Sequence, residues 1–469
     1  MFISEEKRRL FEERHTRYLC AMNRGTPDRI PIRFLLQEVA AKIAGYTTQE
    51  VSCDYHLAFE ATRKAGEYLG CDAVMLNAIW SNYTVGKSAS WKYLHVPGVD
   101  VNLDSVLQFS EPTGEEEAFL RLSEYEEFID DPTAFLVNKW FSRAATRVVT
   151  SGEPASFDHN TALMAGAMAY ANYMNAFGPA AHKLKYESAL VSANAGMIKA
   201  PFDILCDKFR GFVSAAIDTL QRPDMVLKAC EALMPHIVAN ALAGADPNKE
   251  VPITIWAHRG CVPFISPKTF STIFWPTLRP VFEEIISKGH QILFYGEGNW
   301  EAHYDALLTL PPGSIIYHLD RGDPALAARK LKDRFALSGG LSYDVLARGT
   351  PDDVRAHMKA LFAVMKPGGG YILDATALML SDVKEENLRA AVDYTLSNGV
   401  YSQSSPMKAR GTAQPQIITQ GKRPPHTVRP WETESADYKQ LGGKVELVKR
   451  QWQQADAALY NYLWTSVLW

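Results

Sequence analysis

Four polar residues interrupt short apolar runs between positions 289 and 374. They are Glu297 in ILFYGEGN, His318 and Asp320 in IIYHLDR, and Asp374 in YILDAT. A glutamate, an imidazole and two aspartates can move protons to or from a substrate oxygen, or hold a hard metal ion. His318 and Asp320 are two residues apart, so on a strand they share a face. Upstream, His258 and Arg259 follow the run VPITIWA, and Asn77 ends DAVMLN. An arginine in that place can clamp a carboxylate through two parallel bonds. Trp80, Tyr83, Trp256, Tyr295 and Trp300 sit in or beside the same runs and can line an aromatic pocket. Each assignment has a plain rival. Glu297 can cap the helix that follows, and His318 can be a satisfied core histidine. Asp320 can pair with Arg321 or cap a helix near Pro324, Asp374 can cap its own strand end, and Arg259 can pair with a nearby acid.

The elements that must position these residues repeat. From 289 to 374, four apolar runs rich in Ile, Leu, Phe and Tyr each end in a polar or glycine-rich turn, and a helical segment follows. Repeated β-α units build parallel sheets. Further strands are expected at 30–34, 72–77, 187–194 and 251–257, which makes eight. The expected fold class is therefore α/β, a (β/α)8 TIM barrel. The polar residues fall at the strand ends that form the mouth of such a barrel.

Residues 4–24 read as a charged amphipathic helix and 55–70 as another, with Leu57, Ala61 and Ala65 on one face. FDILCDKFRGFVSAAIDTL reads as one long helix. Residues 78–186 form an irregular insertion after strand two, expected to cover the mouth or an oligomer interface. Within it, Asn160–Ala181 carries no charged side chain but contains Asn172, Asn175 and Gly178–Pro179. A buried helix near a pocket suits that stretch better than a membrane span. The domain reading is a barrel over 1–400, then an arm and an aromatic C-terminal helix over 401–469. Residues 402–434 are rich in Pro, Gln, Ser, Thr and Gly, and the end carries Leu459, Tyr460, Tyr462, Leu463, Trp464, Leu468 and Trp469. That surface should pack on its own barrel or on a second subunit, so a homodimer is expected.

Composition narrows the class. The 469 residues carry 49 basic and 53 acidic side chains, net −4, with 47% apolar residues. No basic surplus favours nucleic acid. The N-terminus lacks a signal-type apolar core. The six cysteines have no CxxC spacing and read as free thiols in a reducing, cytoplasmic setting with no membrane involved.

GTPDRIPIRF, APFDILCDKFRGF, ISPKTFSTIFWPTLRPVFEEI, ALSGGLSYDVLARGTPDDVRAHMKAL and GGGYILDATALMLSDVKEENLRAAVDY occur in this order between about 20 and 400. Together they resemble the uroporphyrinogen decarboxylase superfamily, which implies its type of barrel. The sequence departs from uroporphyrinogen decarboxylation itself. The arginine-rich RQAGRY segment after strand one is replaced by RFLLQEVAAKIAGYT, and strand two ends in Asn77 rather than Asp. It also departs from the zinc-dependent methylcobalamin:thiol members. Their HxCGN has Tyr295 and Glu297 at the His and Cys positions, and their second Cys falls near Ala377.

The F-x-EG and HxDR wording is similar to a branch linked to demethylation of methyl ethers, often aromatic ones. That resemblance implies a corrinoid-dependent methyltransferase. It would take a methyl group from a small O-methyl substrate and pass it to cobalamin on a partner protein, since no DxHxxG cobalamin motif is present. The rivals are a lyase or decarboxylase without corrinoid, favoured if Arg33 and Arg259 face one pocket, and a silent binding barrel, favoured by an empty apolar mouth. Under the leading reading Glu297, His318 and Asp320 are catalytic. His258, Arg259, Asn77, Tyr295 and Trp256 bind substrate, and Glu297, His318 and Asp374 are the set for a zinc ion.

Overall fold

The computed structural model describes residues 1–416, 418, 421–435 and 444–468, without the side chain of Tyr83. Among them, eight parallel strands close into a barrel. They are β1 Arg33–Phe34, β2 Ala73–Val74, β3 in two pieces (Val191–Ser192 and Met197–Lys199) and β4 Ile253–Ala257. Then come β5 Ile292–Asn299, β6 Ile315–Arg321, β7 Ala336–Gly339 and β8 Tyr371–Ile372. Val191 pairs with Ala73 on β2, while Met197 pairs with Thr254 on β4. Parallel bridges Ile32–Leu373 and Leu36–Met379 close β1 onto β8.

Alternation along each strand divides the core in two. Leu35, Ala73, Met75, Val191, Ala193, Leu293, Tyr295, Ile316, Ala336 and Ile372 fill the barrel interior. Ile253, Ile255, Ile292, Phe294, Ile315 and Tyr317 face the surrounding helices. The helix Glu5–Met22 stoppers the N-terminal end, where Tyr18 Oη donates to the Ala193 carbonyl at 3.1 Å. Arg17 ties that helix to the barrel through Asp28 and the buried Asp72.

Several sequence expectations need correcting. Strand three does not end at 194: it resumes at Met197 after the Asn194–Gly196 break. The expected single helix over FDILCDKFRGFVSAAIDTL is broken. An α turn Pro201–Ile204 runs into a π turn Leu205–Arg210, and a new helix Phe212–Gln221 starts after Gly211. Gly211 has φ +75°, and any Cβ there would collide with the Pro112 carbonyl.

The uncharged stretch inside the insertion is a surface helix, Phe157–Tyr186, not a buried one. It buries only Ala162, Gly166, Tyr173 and Leu184 among its described side chains. The helix Pro223–Ala243 is long and apolar enough to cross a membrane, and 56% of its apolar window is buried in this fold. The C-terminal helix Val445–Leu468 packs on its own chain. Trp464 stacks on His236 at 3.8 Å, Tyr460 Oη lies 2.7 Å from His236 Nδ1, and Trp464 Nε1 donates to Thr133 Oγ1 at 3.2 Å. Trp469 lies outside the described residues. All six cysteines are free.

Candidate active site

Strand register sorts the polar residues at the barrel's C-terminal end into a floor and a mouth. Lys199, Trp256, Tyr295, His318 and Ser338 are neighbours in one register row. Trp256 stacks on Tyr295 at 3.9 Å, and Tyr295 stacks on His318 at 4.3 Å. Arg33, fully buried, reaches under this stack. Its guanidinium meets Asp374 Oδ2 at 2.8 Å, Ser338 Oγ at 3.0 Å and His318 Nδ1 at 3.1 Å. His318 Nε2 lies 3.2 Å from the Thr376 carbonyl, so Nε2 carries the hydrogen and Nδ1 accepts. Burial and the Arg33 charge push His318 well below its ordinary pKa. It is a neutral, satisfied histidine of the floor.

Asp374 is equally committed. Burial pushes its carboxyl up to about 6 against the pull of Arg33. It also accepts the backbone N–H groups of Leu35 and Ala375 at 3.2 and 2.9 Å.

Above this floor lies a cavity of about 190 Å³. Trp80, Phe109, Met197, Trp256 and Leu468 supply its apolar wall, and Glu111, Lys199, Asp207, Lys208, His258, Arg259 and Glu297 its polar wall. The insertion contributes through Trp80 and through Phe109 and Glu111, at and just past the antiparallel pair Leu94–His95/Gln108–Phe109. The C-terminal helix contributes Leu468. Glu297 extends from the end of β5, where its Oε2 accepts the Trp256 Nε1–H at 2.8 Å. The next residue, Gly298, has φ +90°, and its N–H donates to Asp320 Oδ2 at 2.7 Å. Asp320 thus fixes the turn that aims Glu297. Burial pushes the Asp320 carboxyl up to about 6.

Opposite Glu297 is a charged cluster that rises from the segment after β3. Asp207 accepts from Lys199 Nζ at 2.6 Å and faces His258 Nε2 at 3.2 Å and Arg259 Nη2 at 3.2 Å. Arg259 also pairs with Glu111 and lies against the rings of Phe212 and Phe264. Asp203, fully buried, accepts the backbone N–H groups of His258 and Arg259, both at 2.9 Å, which locks the turn after β4. Burial opposes charge on His258, but Asp207 and Asp203 outweigh it and raise its pKa to about 9. The imidazole is therefore protonated at neutral pH. Asp207 is held well below the ordinary carboxylate range by Lys199 and His258, despite burial.

The structure brings Glu297, Trp256, His258 and Arg259 together as expected. It does not place His318, Asp320, Asp374, Tyr295 or Asn77 in the cavity wall. Tyr295 is a 1%-exposed floor ring whose hydroxyl donates to the Thr376 carbonyl, and Asn77 is half-buried past β2. Trp300 packs behind β5, with Nε1 on the Glu297 carbonyl at 2.9 Å. The helix cap near Pro324 is Asp323, not Asp320.

The zinc set Glu297, His318 and Asp374 fails as a set. Both nitrogens of His318 are engaged, and Asp374 is neutralised by Arg33. Among the described residues, no group of three His, Cys, Asp or Glu side chains is placed to hold a metal ion.

Lys199, Asp203, Asp207 and Lys208 were missed by sequence reasoning. Their signal was present in KAPFDILCDK, where Asp203 and Asp207 are four apart and follow Lys199 by four and eight. A helix starting at Pro201 carries both aspartates on the face turned to the barrel end.

The family model described as uroporphyrinogen decarboxylase (URO-D) matches residues 174–396, a span that contains β3 to β8. No curated protein matches the chain in sequence. Among solved structures, a methyltransferase from Methanosarcina mazei aligns with a TM-score of 0.54 at 14% identity. The alignment covers 82% of this chain and 98% of that one, and it carries the likeness of fold.

Proposed function

We propose that the chain, whose residues 174–396 match the uroporphyrinogen decarboxylase family model, is a methyltransferase of that superfamily acting on a small O-methyl compound, with a corrinoid on a partner protein as methyl acceptor. The observation that carries the reading is the cavity at the mouth. Its 190 Å³ is close to the ~150 Å³ of an engineered cavity that takes up benzene, and below the ~300–1,000 Å³ of drug-sized pockets. One methoxy-substituted ring fits between Trp80, Phe109 and Trp256. A corrin macrocycle does not, so the acceptor belongs outside the cavity, on its partner.

The wall suits an uncharged donor. Lys199, His258 and Arg259 are offset by Asp207, Glu111 and Glu297, which leaves Lys208, its pKa lowered by burial to about 7, as the one remaining cation of the wall among the described residues, too little for a strong field of one sign. The Glu297 carboxylate, held in place by the Trp256 Nε1–H, fixes one edge of the donor, and the rings exclude water around its methyl group. Arg33 lies beneath the floor with Asp374 rather than beside Arg259. The paired-arginine feature of a carboxylate lyase is therefore missing. The polar wall also lacks the character of a silent apolar mouth.

The test is methyl transfer from a panel of methoxybenzenes and methoxyphenols to free cob(I)alamin. It is followed by loss of the cob(I)alamin spectrum and by release of the phenol. Transfer that falls about 10²-fold in Glu297→Gln supports the reading, at the scale of losing one placed polar group in an active site. No transfer from any donor refutes it.

A further inference from the structure

We propose that Lys208 is the general acid that protonates the leaving oxygen of the methyl donor, a role that rests on the methyl-transfer reading above. An ether leaves as an alkoxide or phenoxide, so cleavage needs a proton at that oxygen. Lys208 is an amine in the cavity wall that is only 1% exposed, and nothing in the reading so far uses it. It stands in the π turn Leu205–Arg210, and π turns recur at functional sites. That turn is anchored, because the Lys208 carbonyl accepts the Trp140 indole N–H at 2.6 Å.

The amine itself lies over two rings, 4.5 Å from the centre of Phe109 and 4.9 Å from that of Tyr93. Phe109 belongs to the apolar wall against which the donor ring must sit. The amine and the donor therefore both border the Phe109 ring.

Lys199 and Asp207 act on the amine most directly, and the other charged groups of the same cavity wall are Glu111 from the insertion, His258 and Arg259 after β4, and Glu297 after β5. Burial first, and then Lys199, lower the Lys208 pKa to about 7, with Asp207 pulling the other way. A group that titrates there can give up a proton and recover it at neutral pH.

The neighbours are poorer donors for reasons of geometry. His258 faces carboxylates with both nitrogens, Asp207 at 3.2 Å and Asp203 at 3.6 Å, and they retain its proton. Lys199 is tied to Asp207 at 2.6 Å. Arg259 does not deprotonate in proteins. Glu297 accepts the Trp256 indole N–H.

In the step, the O–CH3 bond breaks and its electron pair stays on oxygen. The methyl carbon forms its new bond with the electron pair of the reduced corrinoid co-substrate. One proton moves from Lys208 Nζ to the oxygen, which yields the alcohol or phenol and a neutral amine. The amine then regains a proton from water.

The experiment compares wild type, Lys208→Met and Lys208→Arg on two methoxybenzenes, one with an electron-donating ring substituent and one with a nitro group. Met fits the Phe109–Tyr93 surface and keeps the fold, which thermal melting verifies. On the electron-rich donor, Lys208→Met should lower kcat by about 10²–10⁴-fold. On the nitro donor, whose phenoxide leaves without a proton, the loss should be about tenfold or less. Lys208→Arg keeps the charge but cannot give up a proton, and should follow Lys208→Met.

Wild-type kcat on the electron-rich donor should fall as pH rises through about 7, and the Lys208→Met profile should be flat there. Lysine-selective carbon NMR of the resting protein should show one side chain titrating near 7 that is missing in Lys208→Met. An equal loss on both donors, or no such lysine, overturns the acid role while leaving methyl transfer standing. A wild type inactive on every donor overturns the methyl-transfer reading and the acid role with it.

Discussion

Asp207→Asn keeps the shape of the side chain and removes one negative charge from a knot of three cations. In the native chain, burial works against a charged His258, yet Asp207 and Asp203 raise its pKa from 6.5 to about 9. That rise of about 2.5, at about 1.36 kcal/mol for each tenfold change in proton affinity, corresponds to roughly 3 kcal/mol. The sign follows from the direction. A histidine whose pKa is raised on folding contributes its stability in full below about 6.5, and loses it as pH climbs through about 9. The matching depression of Asp207 describes the same attraction from the other side. It would be lost only in acid, below the ordinary carboxylate range, and is not counted again.

An unfolding entropy of about 2.1 cal/mol/K per residue over 469 residues makes 1 kcal/mol worth roughly 1 °C. Between pH 6.5 and 9.5 the wild-type Tm should therefore fall by up to about 3 °C more than that of Asp207→Asn, in which Asp203 keeps its own share of the effect on His258. Calorimetric melting across that range measures the difference, and histidine ring NMR follows the His258 proton directly. Parallel Tm curves for the two proteins, or a neutral His258 at pH 7 in wild type, would refute the reasoning.

Two further substitutions probe the floor and the mouth. Arg33→Met leaves Asp374 buried without its guanidinium and should cost about 3–5 kcal/mol in denaturant unfolding, with part recovered in Arg33→Met/Asp374→Asn; an unchanged unfolding midpoint would mean that the ion pair does not hold the floor. Trp464→Ala removes the ring stacked on His236 and should cost about 3–5 kcal/mol. It should also loosen the Leu468 wall of the cavity, so KM for the methyl donor should rise more than kcat falls.

The sequence carried the barrel well, because each unit announces itself twice. An apolar run ends in a turn, and a helix-period segment follows. The runs ILFYGEGN and IIYHLDR became β5 and β6 because their burial alternates between the interior and the helix layer. β3 was harder to read. Asn194–Ala195–Gly196 looks like a strand end, and Gly196 does adopt φ +90°. Yet the chain resumes as Met197–Lys199, paired to β4. A strand stopped at 194 leaves Lys199 outside any strand and the two aspartates after it on an ordinary helix. That single misplaced boundary hid three of the seven residues of the polar wall, Lys199, Asp207 and Lys208.

The misreading of His318 and Asp374 has a different origin. Glu297 and Asp320 rise above the Trp256–Tyr295–His318 row by two residues on the same strand faces. A two-residue step along a strand separates a mouth group from a floor group, and periodicity alone does not say where the mouth begins. The deciding residue is Arg33, more than 280 positions away in sequence from both of its main partners. A fully buried guanidinium must be matched by a charge and by acceptors within the barrel, and Asp374, Ser338 and His318 are the groups within its reach. Once Arg33 faces inward on β1, Asp374 and His318 are spoken for, and neither can serve a ligand without leaving a buried charge unmatched. The chemistry is thereby moved one layer outward. There it rests on Glu297 from β5 and on the cluster after β3, which the insertion and the last turn of the C-terminal helix close over.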